Sequence, residues 1–241
     1  VNPATEQRIG TLPLGNEADV DRAVSAATAA FESFSQSSKA ERLNLLHKVK
    51  KITERRFEDL AQAMVTEMGT PITFSRGSQA DAAIGHLDGF IDALEKLEEQ
   101  TVLPSGDILV REPIGVCGLI TPWNWPVNQV VLKVLPALAT GCSCILKPSE
   151  HTPISAMIYA EILHEAGCPA GVFNLIHGEG PVVGSAMSQH ADIQMMSFTG
   201  STRAGTAVVR DSAETVKRVT LELGGKSPNI VFADCNIEER I

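Results

Sequence analysis

The feature that most constrains the fold is an alternation, from Gly115 to residue 232, of short apolar runs with segments of helical length. The candidate strands are residues 116–120, 144–147, 173–176, 195–198, 219–223 and 229–232. The candidate helices between the first five strands are residues 127–138, 153–165, 181–188 and 202–212. Strands and helices in this order predict parallel strands joined by right-handed crossovers. The sequence therefore predicts an α/β fold with an open, doubly wound parallel sheet that binds ligands at the carboxyl ends of its strands.

Residues 16–97 carry helical patterns that we expect to cover this sheet. Asn16 precedes acidic residues that suit a first helical turn, and Ser38 forms a capping box with Glu41. Apolar residues then recur at helical spacing. Residues 103–110 instead predict a turn and a short extended strand. The predicted fold is thus a doubly wound sheet preceded by N-terminal helices.

Composition and charge narrow the class of protein. With 44% hydrophobic residues the chain can bury a sizeable core in one large domain, and a net charge of −9 disfavours a nucleic-acid partner. The apolar runs are too short for a membrane span, and residues 1–5 lack the layout of a signal peptide. The five cysteines include no Cys-x-x-Cys pair, which is typical of reduced thiols. These observations predict a cytoplasmic protein that binds neither membranes, nucleic acids nor metal ions.

The last residues predict that the protein continues. Residues 234–239 have the pattern of a helix start, with Asn236 as the cap and Glu239 three residues on. The sequence stops at Ile241, barely one turn into that helix, and so short a helix is marginal in water. We therefore expect residues 1–241 to be part of a longer protein.

Two glycine-containing turns are candidate phosphate sites. In residues 198–205 a strand ends at Gly200 and a helix begins after Ser201, so backbone amides and a hydroxyl can face an anion. Gly205 would let that helix pack closely on the sheet. A capped turn without a ligand explains this segment equally well. Residues 177–184 resemble the dinucleotide fingerprint, but their last glycine comes one residue late, and a tight turn before a helix is at least as good an interpretation.

Polar side chains near three strand ends are candidates for binding and catalysis. Lys147 and Glu150 could bind ribose hydroxyls, although loop charges are commonly only solvated. Residues 121–126 place Asn124 between two tryptophans and two prolines, where a rigid amide could stabilise an oxyanion. Glu222 ends an apolar run before twin glycines and is a candidate general base, with an ion pair to a neighbouring lysine as the alternative.

These motifs, taken in this order, resemble the aldehyde dehydrogenase family. The resemblance is carried by residues 2–5, 112–116, 122–126, 147–150, 198–202 and 222–226. It runs from end to end of the chain but covers only the earlier part of a family member. It implies that residues 1–241 form the NAD-binding domain, and that residues 100–113 form an oligomerisation arm of a dimer or tetramer.

The resemblance also assigns roles to matching residues. Asn124 would donate its amide to the oxyanion of the aldehyde adduct, and Glu222 would activate the water that hydrolyses the thioester. Lys147 and Glu150 would hold the adenosine ribose, where a carboxylate repels a 2′-phosphate and favours NAD over NADP. The residues expected along NAD are Ile120, Thr121, Pro122, Trp123, Lys147, Ser149, Glu150, Gly180, Phe198, Gly200, Ser201, Leu223 and Gly224.

The resemblance implies a reaction that starts with a cysteine thiolate, which attacks the aldehyde to give a thiohemiacetal. That cysteine lies in a Gly-Gln-x-Cys motif, which the resemblance places beyond Ile241. The expected function is therefore NAD-dependent oxidation of an aldehyde to a carboxylic acid, with this chain inactive by itself. Two alternatives stay open: a CoA-acylating semialdehyde dehydrogenase, which needs no water-activating glutamate, and a non-catalytic NAD-binding relative. The identity of the aldehyde does not follow from the sequence.

Overall fold

A computed structural model describes residues 1–236. Its helices are α1 (Glu17–Phe34), α2 (Lys39–Arg55), α3 (Phe57–Met68), α4 (Ile72–Phe74), α5 (Asp81–Lys96), α6 (Pro126–Ala139), α7 (Pro153–Glu165), α8 (Ser185–Gln189) and α9 (Thr202–Ser212). Its strands are β1 (Gln100–Val102), β2 (Ile108–Val110), β3 (Val116–Ile120), β4 (Ser143–Lys147), β5 (Phe173–Leu175), β6 (Met195–Gly200) and β7 (Arg218–Leu223). None of the described helices is both long and apolar enough to cross a membrane.

The main sheet has the order β5-β4-β3-β6-β7, and each neighbouring pair is parallel. The chain moves outward from β3 through β4 to β5, and then returns to the other side of β3 for β6. The strand order therefore reverses between β3 and β6, which is where doubly wound sheets open a crevice for ligands. The predicted fold class is confirmed.

Each face of the sheet packs against its own set of helices. On one face, Cys117, Leu119 and Leu146 join a core formed with α2, α3, α5, α6 and α7. On the other face, Ile145 and Phe198 pack in a second core with α1, α8 and α9. The central strands β3 and β4 are buried along their whole length because helices cover both faces, as expected for parallel sheets.

The helix caps predicted at Asn16 and Ser38 are present. The Asn16 side chain accepts a hydrogen bond from the Asp19 amide at 3.3 Å, and the Asp19 carboxylate accepts one from the Asn16 amide at 2.8 Å. Ser38 and Glu41 exchange the same two bonds at the start of α2. These bonds satisfy amides that a helix start leaves without intrahelical partners.

Two predicted segments differ from the structure. Residues 229–232 are not a strand, and Ile230 and Phe232 are 70% and 73% exposed. Among residues 1–236 these residues pair with no strand and are not covered by a helix. Apolar composition alone therefore did not make them a strand. Residues 181–188 are helical as predicted but begin with a π-helical turn, Gly180–Gly184. The helix predicted to start after Asn236 lies outside the described residues.

The segment expected as an arm is a β-hairpin rather than a single strand. Strands β1 and β2 pair antiparallel, with Thr101 opposite Leu109. Val102 and Ile108 are 72% and 62% exposed, so the hairpin presents apolar side chains to its surroundings. Its assignment as an oligomerisation arm stays a prediction.

Candidate active site

The predicted site residues gather at the carboxyl edge of the sheet. Ile120 ends β3 and pairs with Lys147 on one side and with Phe198 on the other. Leu223 ends β7 and pairs with Gly200 at the end of β6. Residues that are up to 103 positions apart in the chain, from 120 to 223, therefore line one edge across the switch point.

The ribose candidates form a partly buried ion pair. The Lys147 side chain is 4% exposed, and its Nζ lies 3.4 Å from a carboxylate oxygen of Glu150. Burial lowers the pKa of Lys147, and the charge of Glu150 opposes that shift. For Glu150 burial raises the pKa, but a backbone hydrogen bond and the charge of Lys147 outweigh it, so the pKa falls. The interpretation of Lys147 as a solvated loop charge is wrong, and Glu150 is a carboxylate at neutral pH.

Ser149 and Thr121 stabilise the loops at this edge. The buried Ser149 hydroxyl accepts a hydrogen bond from the His151 amide at 3.2 Å. The Thr121 amide donates to the Lys147 carbonyl at 3.2 Å, which extends the pairing of β3 with β4 beyond their last residues. Both hydrogen bonds fix the loop backbone at the carboxyl edge.

The π-helical turn Gly180–Gly184 crosses the ends of β3 and β4. A Cβ atom at Gly184 would lie 3.5 Å from the Ile120 side chain, and one at Gly180 would have nothing within 4 Å. At Gly178 it would lie 2.3 Å from Val183, so this glycine is required by a tight turn. Local packing thus explains Gly178, whereas Gly180 leaves open space at the edge.

The segment at the end of β6 begins helix α9. Ser201 caps the helix, and its hydroxyl accepts a hydrogen bond from the Ala204 amide at 3.3 Å. A Cβ atom at Gly200 would lie 2.5 Å from the Phe198 ring, and one at Gly205 would lie 2.6 Å from the Leu223 side chain. The predicted close packing of α9 on the sheet is confirmed. The first amides of α9 lie beside the switch point, where they can meet an anion.

Asn124 lies in the loop between β3 and α6. Pro126 occupies the first turn of α6, and the Trp125 ring meets Phe74 edge to face, with centroids 5.6 Å apart. Asn124 is exposed, and Trp123 is 53% exposed. Shielding of the amide by both tryptophan rings, as the sequence suggests, is therefore not found within residues 1–236.

Glu222 lies one residue before the end of β7 and is exposed. It pairs with Thr199, so its side chain shares a sheet face with Ser197, two residues earlier in β6. The alternative of an ion pair is not found, because no cationic nitrogen of the described residues lies within 4.0 Å of its carboxylate. The carboxylate stays available as a base.

Lys133 is a site residue that the sequence analysis missed. Its Nζ donates a hydrogen bond to the Ser197 hydroxyl at 2.8 Å. Burial lowers the pKa of Lys133 to about 8, and the negative charge of Glu222 opposes that shift. The signal was present in the sequence as a lone lysine within the apolar run of α6. Only the fold shows that this lysine extends under β6 to Ser197 and toward Glu222.

Glu222 and helix α6, which follows the Asn124 loop, lie on the same side of the sheet. Lys133 of α6 contacts Ser197, so α6 covers the face that also carries Thr199 and Glu222. Asn124 lies two residues before α6 begins. Glu222 thus lies on the face that α6 covers, and the loop that carries Asn124 leads into the same helix.

The three buried thiols, Cys117, Cys142 and Cys144, lie away from this edge. Cys117 and Cys144 pair with each other near the starts of β3 and β4, three residues before the ends of those strands. At about 3.3 Å per residue they lie roughly 10 Å from the carboxyl edge. Burial raises the pKa of Cys144, and a hydrogen bond from Cys117 lowers that of Cys142 to about 6. Among residues 1–236 no cluster of three or more metal-ligating side chains is present.

Comparison with known proteins identifies the family of the chain. The model of the aldehyde dehydrogenase family matches residues 1–241. A curated relative, the 3-succinoylsemialdehyde-pyridine dehydrogenase of a Pseudomonas species, is 48% identical over 242 residues, which cover 100% of this chain and 50% of the relative. The chain thus spans about half the length of the relatives that it matches.

Solved structures give the same picture. An aldehyde dehydrogenase from Bartonella henselae has a TM-score of 0.95 and 48% identity, over 99% of this chain and 51% of that chain. Aldehyde dehydrogenase C of Pseudomonas syringae, crystallised as a mutant with NAD+ and octanal, has a TM-score of 0.94 and 50% identity, over 98% of this chain and 48% of that chain. Because the family model matches residues 1–241, the chain belongs to the aldehyde dehydrogenase family.

Proposed function

We propose that this chain is the NAD-binding part of an enzyme that oxidises an aldehyde to a carboxylic acid. The observation that carries the proposal is that Asn124 lies in the loop after β3 and Glu222 lies near the end of β7, so both belong to the carboxyl edge of one parallel sheet. The NAD+ and octanal in the Pseudomonas syringae relative support the choice of cofactor and substrate class. Residues 1–241 form its cofactor-binding domain in this proposal.

The residues at the edge fit a dinucleotide. Lys147 and Glu150 offer a cation and an anion to ribose hydroxyls, and the carboxylate disfavours a 2′-phosphate. The open space at Gly180 and the first amides of α9 after Ser201 can accommodate a pyrophosphate. When bound, NAD would supply the acceptor for the hydride that the substrate loses. We include Ile120, Thr121, Pro122, Trp123, Ser149, Phe198, Gly200, Leu223 and Gly224 in this site.

The chain's own residues would stabilise charge and move a proton. The Asn124 amide would donate to the substrate oxygen as negative charge develops on it. Glu222 would take a proton from the water that releases the acid. The presence of this candidate base supports hydrolysis over transfer of the acyl group to CoA. The Lys133 ammonium below β6 would interact with the charge of Glu222. The thiol nucleophile would come from the protein beyond residue 241, because Cys117, Cys142 and Cys144 are buried away from the edge.

The hairpin supports a homo-oligomer. Residues 100–113 present Val102, Ile108 and Val110 to their surroundings, and exposed apolar groups of this kind are typical of interfaces. We propose that the complete protein forms a dimer or tetramer through them. The reduced thiols agree with a cytoplasmic location.

The test compares the complete protein with the isolated chain. In the complete protein, aldehyde-dependent reduction of NAD should fall by about 100-fold or more in Asn124→Ala, since one oxyanion donor contributes roughly that much. Asn44→Ala, an exposed asparagine on α2, is the matched control and should keep its rate. The isolated chain should bind NAD in calorimetric titration but turn over no aldehyde. Absence of NAD binding, or robust turnover by residues 1–241 alone, would refute the proposal.

A further inference from the structure

A polar pair lies between α5 and α6, close to Asn124. The His86 Nε2 and the Asn128 Oδ1 are 2.7 Å apart, and both side chains are half-buried. An amide oxygen only accepts hydrogen bonds, so the imidazole Nε2 carries the proton in this contact. Among the described residues the Asn128 Nδ2 has no acceptor, and its two N–H donors are therefore available to a ligand.

The surroundings of this pair are apolar and aromatic. Asn128 lies in the first turn of α6, which begins two residues after Asn124. The edge-to-face pair of Trp125 and Phe74 lies at the start of the same surface, and Phe74 is 44% exposed. Leu132, one turn further along α6, is 37% exposed. A ligand that extends from Asn124 along α6 would thus meet rings, a leucine and one amide donor.

The cations near this surface are already occupied. Arg76, two residues after Phe74, binds both carboxylate oxygens of Glu58 at 2.6 and 2.9 Å. Lys133 donates to Ser197 on the sheet side of α6. Lys50 pairs with Asp88 on α5 at 2.8 Å. Each of these three cations is thus paired and is not free to bind a substrate carboxylate.

We infer that the His86–Asn128 pair is a specificity determinant for the aldehyde, and that preferred substrates carry an uncharged hydrogen-bond acceptor on an aromatic or apolar body. The acceptor, a ketone oxygen or a ring nitrogen, would meet the Asn128 amide in the first turn of α6, just after the loop that carries Asn124. His86 is the positioning residue, because it fixes the amide oxygen and turns the amide donors outward. This inference rests on the proposed function. A half-buried donor left without a partner penalises substrates that lack the acceptor.

The experiment measures kcat/KM of the complete protein with three aldehydes of similar length. One carries a phenyl ring, one carries a pyridine nitrogen or ketone at the matching position, and one ends in a carboxylate. The acceptor-bearing aldehyde should exceed the phenyl aldehyde by about tenfold, equivalent to about 1.4 kcal/mol. The carboxylate-bearing aldehyde should be the poorest substrate of the three.

Two variants test the pair itself. Asn128→Leu removes the donor, so the ratio between the acceptor-bearing and phenyl aldehydes should fall to about one. Asn128→Asp keeps the shape but only accepts hydrogen bonds, so the ratio should fall below one. Asn44→Leu is the control and should keep the original ratio. Because ratios are compared, a partial loss of folded enzyme does not alter the result.

The outcomes separate the inference from the proposed function. If no aldehyde reduces NAD, the proposed function fails and the inference fails with it. If aldehydes are oxidised but the ratio is unchanged in both Asn128 variants, or the carboxylate-bearing aldehyde is preferred, the inference alone is overturned.

Discussion

The buried Lys133 gives the most quantitative prediction. Its pKa is lowered from 10.5 to about 8 because the ammonium is buried. At about 1.4 kcal/mol per pKa unit, keeping the charge in the folded chain at neutral pH costs roughly 3 kcal/mol. Replacing the lysine by methionine removes this cost and leaves the half-buried Ser197 hydroxyl without its donor, which costs about 1 kcal/mol. We expect Lys133→Met to raise the free energy of unfolding at pH 7 by about 2 kcal/mol.

The dependence on pH follows from the same shift. The pKa of Lys133 is lower in the folded chain than in the unfolded chain. The free energy of unfolding is therefore highest above pH 10.5, where the lysine is neutral in both states, and it falls as the pH falls toward 8 and the buried amine becomes charged. Between pH 7 and pH 9.5 the wild-type chain should gain about 2 kcal/mol from this lysine. Lys133→Met should lack that gain. Lys217, whose pKa is also lowered to about 8, is present in both chains, so its contribution cancels.

Urea denaturation of the chain at the two pH values measures these quantities. The control is Lys48→Met, which removes an exposed lysine on α2 and should leave both the stability and its pH dependence nearly unchanged. Two results would contradict this reasoning: Lys133→Met is less stable than wild type at pH 7, or it gains as much stability as wild type between pH 7 and pH 9.5. Either result would mean that burial of the ammonium does not destabilise the fold. The burial argument would then be refuted.

Three further predictions test the edge of the sheet and one tight turn. Glu150→Ser should raise the affinity for NADP relative to NAD by about tenfold or more, because it removes a carboxylate from the 2′-position, and calorimetry with both cofactors measures this. In the complete protein Glu222→Gln should slow steady-state turnover by about 100-fold or more, and the thioester should accumulate. Rapid quenching followed by mass analysis measures the thioester, and its absence would contradict the role of Glu222 as the base. Gly167 and Gly171 share a φ of +82°, but only at Gly171 would a Cβ meet backbone, at 2.6 Å from the Ala26 carbonyl oxygen. Gly167→Ala should therefore cost about 1 kcal/mol and Gly171→Ala about 1–3 kcal/mol more in urea unfolding, and equal costs would refute the packing argument.

Local signals in the sequence predicted most of the secondary structure. The run at residues 116–120 and the helices at 153–165 and 202–212 have the predicted bounds, because apolar periodicity and helix caps act within a few residues. The capping boxes at Asn16 and Ser38 are present for the same reason. The family and the fold class also followed from motifs that are contiguous in the chain.

The tertiary structure decided what depends on contacts between distant segments. Pairing of β3 with β6 places Phe198 beside Ile120, and this neighbour relation is not encoded in either segment alone. The same pairing brings Ser197 over Lys133, which turned an ordinary lysine of an apolar helix into a site residue. Residues 229–232 show the converse, because an apolar run becomes a strand only where a neighbouring strand and a covering layer can satisfy its backbone and bury its side chains. Sequence thus determined the elements and the chemistry available at their ends, while long-range packing decided which of these groups meet.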